Sequence, residues 1–210
     1  MKLYDFKLAP SAQRVRVFLA EKGLEIPTEQ VNVREGAQFS EAFTSKNPFH
    51  SVPFLELDDG TVISESMSIC RYLEELHPKP ALFGRTAKER AIIDMWLRRF
   101  ELDALVPMQH AVRNHLPGFV GRVVPGTRSD LPQLPALVIR GKEMMEVFLG
   151  RVEPHMTKNE FVAGSEFTVA DITAFFTVRT TKTLEMDVAS QFPAVAAWFA
   201  RVSARPAFKL

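Results

Sequence analysis

Cysteine is almost absent from this sequence. The 210 residues contain one, Cys70, so no disulfide can form within the chain. There is also no Cys-x-x-Cys pair and no cluster of Cys and His with zinc-ligand spacing, which argues against a dithiol redox centre and a structural metal site. We therefore predict a protein without a metal cofactor. A single thiol without a disulfide framework leads us to expect a reducing, cytoplasmic location.

The sequence also lacks an excess of charge of either sign and lacks a long apolar run. Its 26 basic and 25 acidic side chains leave a net charge of +1, which gives no field to attract nucleic acid or an anionic membrane. The opening stretch MKLYDFKLAPSAQ lacks the apolar core of a signal peptide. No later stretch approaches the roughly 18 apolar residues of a membrane span. We expect neither nucleic acid nor a membrane as a partner.

Strand and helix patterns alternate over the first 78 residues. They occur in the order β-α-β-α-β-β-α, at about 2–6, 12–23, 29–33, 38–45, 54–57, 61–63 and 66–76. The strand-helix-strand unit at the start favours parallel pairing of its two strands. These patterns predict an α/β domain over residues 1–78.

The character of the chain changes after residue 78. The stretch HPKPALFG has two prolines and no clear periodicity, which predicts a linker over residues 79–86. Beyond it, helical patterns cover about 87–115, 134–152, 169–184 and 195–203, and no convincing strand appears, which predicts an all-helical domain over residues 87–210. Between the first two helices stands LPGFVGRVVPGTRSDLPQLP, and loops of this length usually carry a function or are disordered.

Two local motifs stand out. In EFTVADITAF, Thr168 and Asp171 are spaced to form a capping box, which we interpret as a structural helix start. In NPFHSVPFLELDDGTVISES, Asp59 and Gly60 between two apolar runs predict a hairpin. Its first strand begins with Pro53, which has no N–H to give to a sheet, and by itself this proline fits the start of an edge strand.

Three marks, taken in order, resemble one protein family. They are RVRVFLAEKG in the first helix, the hairpin stretch NPFHSVPFLELDDGTVISES, and FVAGSEFTVADIT in the helical part. Together with the element order, they make the chain similar to the cytosolic glutathione transferases over essentially its whole length. Within that family it looks most like a fungal and bacterial group, with theta-, delta- and zeta-like features. The resemblance implies a thioredoxin-like N-terminal domain and an all-α C-terminal domain carrying the electrophile site.

The resemblance implies that the hairpin module binds glutathione as a co-substrate. The residues concerned are His50, Ser51, Val52, Pro53, Glu65 and Ser66. A cis Pro53 would turn the Val52 backbone outward to pair with the extended tripeptide like an added strand. Ser66 at a helix start would hold the γ-glutamyl carboxylate, Glu65 would face the ammonium group, and His50 would contact the glycyl end. Taken alone, Ser66 is equally a helix N-cap and Glu65 a solvated charge.

The resemblance also implies a thiolate nucleophile, and Ser11 is the predicted hydroxyl donor to it. The alternative role of Ser11 is a plain helix cap. By the same resemblance, related classes of the family place their catalytic serine at the positions of Ala9 or Pro10. The fungal and bacterial group instead uses a water held by its fourth helix, at the positions of Gln109 and Arg113.

Tyr4 and Cys70 are weaker candidates for activating the thiol. Tyr4 lies inside the first strand rather than in the loop after it, and Cys70 reads as a small core residue of the third helix. A cysteine-type disulfide chemistry is therefore disfavoured.

The electrophile pocket is predicted to include Leu8, Met108, Val112 and His115. The implied function is conjugation of glutathione to small hydrophobic electrophiles in detoxification, with peroxidase activity as an additional option, in a homodimer. The alternative is a non-catalytic binding or regulatory protein that has kept this fold.

Overall fold

The computed structural model describes residues 1–209, which divide into two compact units. Unit 1 comprises residues 1–80 and 125–127, and unit 2 comprises residues 81–124 and 128–209. Unit 1 contains all the strands of the sheet, and unit 2 is helical. The predicted fold class, an α/β domain followed by an all-α domain, is confirmed.

Unit 1 is built on a four-stranded mixed sheet. Its strands are β1 (Lys2–Asp5), β2 (Thr28–Gln30), β3 (Phe54–Glu56) and β4 (Val62–Ser64). They lie in the order β2-β1-β3-β4, with β1 parallel to β2 and antiparallel to β3. The helices are α1 (Pro10–Lys22), α2 (Glu41–Thr44) and α3 (Ser66–Leu76), and a 3-10 turn at Ala37–Phe39 precedes α2.

Helices α1 and α3 pack against each other and supply much of the apolar core of unit 1. Phe18 of α1 and Ile69 of α3 are completely buried. Pro10 opens α1, because its fixed φ and missing N–H suit a first helical turn. Gly23 ends α1 with a φ of 64°, in the left-handed region that favours glycine.

The buried Lys22 ammonium joins α1 to the end of α3. It forms an ion pair with Glu74 and donates to the carbonyls of His77 and Pro80. A buried cation is tolerated when it is paired and its N–H groups have acceptors. Lys22 therefore fixes the path of the chain where α3 ends.

Unit 2 consists of helices. They are α4 (Ala87–Arg99), α5 (Val106–His115), α6 (Pro135–Met156), α7 (Val169–Thr180), α8 (Val188–Gln191) and α9 (Pro193–Ser203), with a π-helical turn at Phe100–Leu105 between α4 and α5. The predicted single helix over 87–115 is thus two α-helices joined by a π turn. This turn lies just ahead of Pro107, which has no N–H for the regular helical pattern.

Asp171 closes the capping box that the sequence predicted at the start of α7. Its completely buried carboxylate accepts from the N–H and hydroxyl of Thr168, the N–H of Val162 and the indole N–H of Trp198. Burial raises the pKa of Asp171 to about 6, although these hydrogen bonds act in the opposite direction. The side chain ties the start of α7 to α9.

Three further observations concern residues 1–209. None of their helices is both long enough and apolar enough to cross a membrane. They contain no group of three or more His, Cys, Asp or Glu side chains placed to share a metal ion. Cys70 is completely buried in α3, and burial raises the pKa of its thiol.

Candidate active site

Side chains of α1 and β2 fix the turn between β1 and α1. Arg16 donates to the buried carboxylate of Asp5 and to the carbonyl of Lys7. Gln13 donates to the same Lys7 carbonyl at 3.0 Å. Gln30 donates to Asp5 at 2.9 Å and accepts from the N–H of Lys7 at 3.0 Å. This network sets the position at which α1 begins.

Ser11 lies in the first turn of α1 but does not cap the helix. The N-cap position belongs to Ala9, which makes no side-chain hydrogen bond. The Ser11 hydroxyl instead donates to the carbonyl of Val52 at 2.9 Å. Of the two roles that the sequence left open for Ser11, the plain helix cap is therefore absent.

The backbone of Val52 lies outside the sheet. The Val52–Pro53 peptide bond is cis, as the resemblance implied, and Phe54 is the first residue of β3 to pair with β1, opposite Tyr4. Among residues 1–209 no hydrogen bond engages the Val52 N–H. The Val52 carbonyl has a second lone pair besides the one that accepts from Ser11. Both backbone groups are thus able to bind a further strand.

Asn47 organises the loop that leads to Val52, a role that the sequence reading did not assign. Its side chain is only 2% exposed. It donates to the carbonyl of Ser51 at 2.8 Å and accepts from the N–H of Phe49 at 3.2 Å. The Asn-Pro dipeptide is a turn signal, and that signal could have indicated this residue.

His50 is held by both of its ring nitrogens within unit 1. Nδ1 lies 3.1 Å from the carbonyl oxygen of Gly126, which only accepts, so Nδ1 carries the proton. The Nε2 of the neutral ring then accepts from the Thr44 hydroxyl at 3.1 Å. In this arrangement a neutral His50 has no N–H left for the predicted contact with the glycyl end of glutathione. Neither partner of His50 was predictable from the sequence, because both contacts depend on the tertiary fold.

Glu65 and Ser66 form the start of α3. Glu65 is exposed and has a φ of 68° and a ψ of 120°, a conformation that costs a residue other than glycine on the order of 1–3 kcal/mol. Ser66 is 3% exposed and is the first residue of the helix, where backbone N–H groups lack helical acceptors. Those N–H groups and the helix dipole favour an anion.

The hydroxyl of Tyr4 is hydrogen-bonded to side chains outside the helix that contains Ser11. Its hydroxyl donates to Glu56 at 2.8 Å and accepts from Lys46 at 2.7 Å. The hydrogen bond to Glu56, followed by the one to Tyr4, raises the pKa of Lys46 to about 12. The Tyr4 hydroxyl therefore belongs to a charged network, which supports the sequence-based view that it is a weak candidate for thiol activation.

The residues predicted for the electrophile pocket lie in different settings. Leu8 belongs to unit 1 and is 47% exposed. In unit 2, Val112 is half-buried and His115 is exposed. Met108 is completely buried in the core of unit 2, so its side chain offers no surface to a ligand.

Gln109 and Arg113 lie one turn apart on α5. Gln109 is exposed and Arg113 is half-buried. Arg113 donates to the carbonyl of Arg122 at 2.6 Å and stands over the ring of Phe119, 4.7 Å from its centre. Arg113 thus holds the loop that follows α5.

Comparisons with known proteins identify the family to which the two domains are similar. The family model for the glutathione S-transferase N-terminal domain matches residues 9–76, and that for the C-terminal domain matches residues 130–206. Glutathione S-transferase 2 of Saccharomyces cerevisiae is 30% identical over 211 aligned residues, covering 100% of this chain and 88% of that protein.

Two solved bacterial structures are similar over the whole chain. A glutathione S-transferase domain-containing protein from Marinobacter aquaeolei VT8 has a TM-score of 0.90 and 34% identity, covering 100% of both chains. A glutathione S-transferase of class Gtt2 from Vibrio parahaemolyticus has a TM-score of 0.85 and 37% identity, covering 100% of this chain and 96% of that one. With both family models and a full-length relative in agreement, the chain belongs to the glutathione S-transferase family.

Proposed function

We propose that the protein conjugates the thiolate of glutathione to small hydrophobic electrophiles. The observation that carries this proposal is the hydrogen bond between the Ser11 hydroxyl and the Val52 carbonyl, 2.9 Å long. It places a hydroxyl donor beside a backbone segment that is free to bind an extended peptide. A cytoplasmic location is part of the same proposal.

Glutathione binds in this proposal as an added strand. Its cysteinyl residue pairs with the N–H and carbonyl of Val52, because these groups lie outside the sheet. The γ-glutamyl carboxylate sits at the start of α3, on the N–H and hydroxyl of Ser66, and Glu65 faces the ammonium group. Ser51 and Pro53 border the tripeptide, and His50 acts through the loop that it holds.

Once glutathione is bound, the Ser11 hydroxyl can donate either to the Val52 carbonyl or to the cysteinyl sulfur of glutathione. The cysteinyl N–H donates to the second lone pair of the Val52 carbonyl. Rotation of the Ser11 hydroxyl then directs its proton to the cysteinyl sulfur. A hydrogen bond to the anion favours the thiolate and lowers the thiol pKa, and about two units of such a shift would correspond to roughly 2.7 kcal/mol.

The same thiolate would support a peroxidase activity. Attack on a hydroperoxide oxygen breaks the O–O bond, forms a glutathione sulfenic acid and releases the alcohol after protonation. A second glutathione thiol condenses with the sulfenic acid to give the disulfide and water. The organic group of the hydroperoxide would occupy the position of the hydrophobic electrophile.

The test is to titrate glutathione calorimetrically and to follow the ultraviolet absorbance of the bound thiolate across pH. We expect a depressed thiol pKa in the native protein and an ordinary one in Ser11→Ala. The matched control is Ser45→Ala, because the Ser45 hydroxyl is exposed and bonds only the carbonyl of Ala42. A depressed pKa that survives Ser11→Ala would assign activation to Gln109 or Arg113. Absence of glutathione binding would favour the non-catalytic alternative.

A homodimer completes the proposal. Unit 2 exposes apolar side chains on the π turn and on α5 and α6, namely Leu102, Val106, Ile139, Met144 and Val147. Met144 and Val147 also line a cavity of about 290 Å³, and Phe49 of unit 1 is 75% exposed. Light scattering after size exclusion should give twice the 23.7 kDa chain mass, and Val147→Glu should reduce it to that of a monomer.

A further inference from the structure

Side chains hold the turn between β1 and α1 at one residue, Lys7. The carbonyl of Lys7 accepts from the guanidinium of Arg16 and, at 3.0 Å, from the amide of Gln13. Its N–H donates to the side-chain carbonyl of Gln30 at 3.0 Å. Because β1 ends at Asp5, Lys7 lies outside the strand, and side chains rather than the sheet determine where this turn lies.

Arg16 joins this turn to the end of β1 and to α1. Its Nη1 donates to the carboxylate of Asp5, its Nη2 donates to the carbonyl of Lys7, and its backbone belongs to the same helix as Ser11. The Asp5 side chain is completely buried. A guanidinium presents its donors in a rigid planar fork. Helix α1 therefore cannot slide or rotate relative to β1 without breaking one of these bonds.

The buried carboxylate of Asp5 is a costly way to stabilise a fold. Its hydrogen bonds from Arg16 and, at 2.9 Å, from Gln30 both go to Oδ2. The other oxygen, Oδ1, is buried and has no hydrogen-bond partner among residues 1–209. Unsatisfied buried acceptors destabilise proteins, and buried ion pairs seldom add net stability. The geometry that the pair imposes on α1 explains it better than a gain in stability.

The position of Ser11 depends closely on where α1 begins. Its hydroxyl lies 2.9 Å from the carbonyl oxygen of Val52, and a hydrogen bond is lost beyond about 3.5 Å. A shift of the helix by one residue would rotate Ser11 by about 100° and translate it by about 1.5 Å. Misplacing a reacting group by about 1 Å can lower a rate on the order of 100-fold. The hydroxyl therefore requires a firmly anchored helix start.

We infer that Arg16 is a positioning residue for thiol activation, and that its bridge between Asp5 and the Lys7 carbonyl holds the Ser11 hydroxyl within reach of the glutathione sulfur. This inference rests on the proposed transferase function and adds a residue to those that serve it. Arg16 acts through Ser11 rather than on a ligand. It should therefore affect the ionisation of the thiol more than the binding of glutathione.

The decisive variant is Arg16→Lys. It keeps a cation beside Asp5, but an ammonium group lacks the planar fork that spans the carboxylate and the Lys7 carbonyl. Gln13→Ala removes the other side-chain donor to this carbonyl and replaces Arg16→Lys in the test if that variant does not fold. The control is Val17→Ala, because Val17 is completely buried on α1. This change destabilises the same helix through its packing and removes no hydrogen bond of the turn.

The first measurement is the thiol pKa of bound glutathione, followed by the ultraviolet absorbance of the thiolate. We expect Arg16→Lys to raise this pKa by about one unit, which lowers the thiolate fraction about tenfold at neutral pH. Val17→Ala should leave it unchanged. A purely structural role for Arg16 would instead give the two variants the same pKa.

The second measurement is turnover of chlorodinitrobenzene, in which the glutathione sulfur bonds to the chlorine-bearing carbon and chloride leaves with the electron pair of the C–Cl bond. At neutral pH, Arg16→Lys should lower kcat about tenfold and change KM for glutathione less than about twofold. Above about pH 9 the thiol ionises without help, so kcat should return towards that of the native protein.

Hydrogen exchange without glutathione separates this inference from the proposed function. The N–H groups of Ala9 and Gln13 donate to the carbonyls of Phe6 and Ala9 at 2.8 and 2.9 Å. Their exchange should be about tenfold faster or more in Arg16→Lys, and slower than that in Val17→Ala. If exchange follows this pattern but Ser11→Ala leaves the thiol pKa unchanged, the positioning of α1 by Arg16 stands and thiol activation by Ser11 fails.

The inference is overturned if Ser11→Ala raises the thiol pKa and Arg16→Lys does not. It is overturned equally if Arg16→Lys and Val17→Ala raise the pKa by the same amount, or if high pH fails to restore kcat.

Discussion

The Nδ1–H of His50 donates to the carbonyl oxygen of Gly126 at 3.1 Å, across 76 positions of sequence. The two backbones also approach closely, since a Cβ on Gly126 would lie 2.1 Å from the carbonyl oxygen of Phe49. Gly126 has a φ of 70°, in the region that favours glycine. The short segment 125–127 is therefore fitted to the loop that precedes β3, and glycine is required at its centre.

Gly126→Ala should displace this segment and release His50. We expect a loss of about 1–3 kcal/mol in the free energy of unfolding, because both the left-handed φ and the close approach oppose a methyl group. Glutathione affinity should fall as well, since the loop before Val52 loses its support. Urea denaturation and calorimetry measure the two effects.

The control for this prediction is Gly118→Ala, in the same loop. An added Cβ at Gly118 meets nothing within 4 Å and its φ is not positive. Stability and affinity should stay close to those of the native protein. If Gly126→Ala and Gly118→Ala showed the same free energy of unfolding and the same glutathione affinity, the contact at Gly126 would not support the loop before Val52.

Asn47→Ala should destabilise unit 1 by leaving two partly buried backbone groups without their side-chain partner. The Ser51 carbonyl and the Phe49 N–H would each lose a hydrogen bond, at a cost of about 1 kcal/mol for each. Asn32→Ala is the control, because Asn32 is exposed and its side chain bonds only to a nearby turn N–H. Urea denaturation should show a lower midpoint for Asn47→Ala alone, and equal midpoints would contradict this role for Asn47.

The Glu65 side chain should lower the stability of the fold while it raises the affinity for glutathione. Glu65→Gly removes the side-chain conflict with a φ of 68°, so it should be more stable than Glu65→Ala by about 1 kcal/mol. Both variants lose the carboxylate proposed to face the glutathione ammonium group, and both should bind glutathione more weakly to a similar extent. If only the glycine variant lost affinity, the backbone conformation rather than the carboxylate would be the binding determinant.

Asp171 should make stability depend on pH between about 4 and 6. Burial raises its pKa in the folded protein to about 6, above the roughly 3.9 of an unfolded aspartate. The unfolded chain therefore releases this proton first, and the stabilising contribution is present below about pH 4 and lost as the pH rises through 6.

The measurement for Asp171 compares the native protein with Asp171→Asn, which does not titrate. The native protein's stability relative to the variant should fall by about 3 kcal/mol between pH 4 and pH 7, since each unit of pKa shift corresponds to about 1.36 kcal/mol. A relative stability that rises with pH would show that the four hydrogen bonds to this carboxylate outweigh its burial.

Helices, turns and helix caps were predictable from the sequence because the interactions that form them join residues only a few positions apart. The helical spacing of Val15, Phe18 and Leu19 and the turn at Gly60 depend on backbone geometry within a few residues. The capping residues Thr168 and Asp171 form their bonds three positions apart. The element order of residues 1–78, the hairpin and the start of α7 therefore followed from the sequence.

Precise placement of the helix start after β1 was not predictable. The sequence suggested a helix beginning near residue 12, with Ser11 ahead of it as either its cap or the hydroxyl donor to the thiol, whereas α1 begins at Pro10. The position is set by Asp5, Arg16 and Gln30, whose contacts link α1 to two strands. Ser11 consequently meets Val52, a partner 41 residues away.

The sequence by itself determined the α/β and all-α parts and a proline at the head of β3. Only the tertiary structure decided that Ser11 reaches the Val52 carbonyl, that His50 is held by Gly126, and that Met108 is buried in the core. The physical reason is the range of the interactions. Secondary structure follows from periodicity and backbone stereochemistry over a few residues, whereas the partners of a side chain depend on how distant segments pack, which no local pattern encodes.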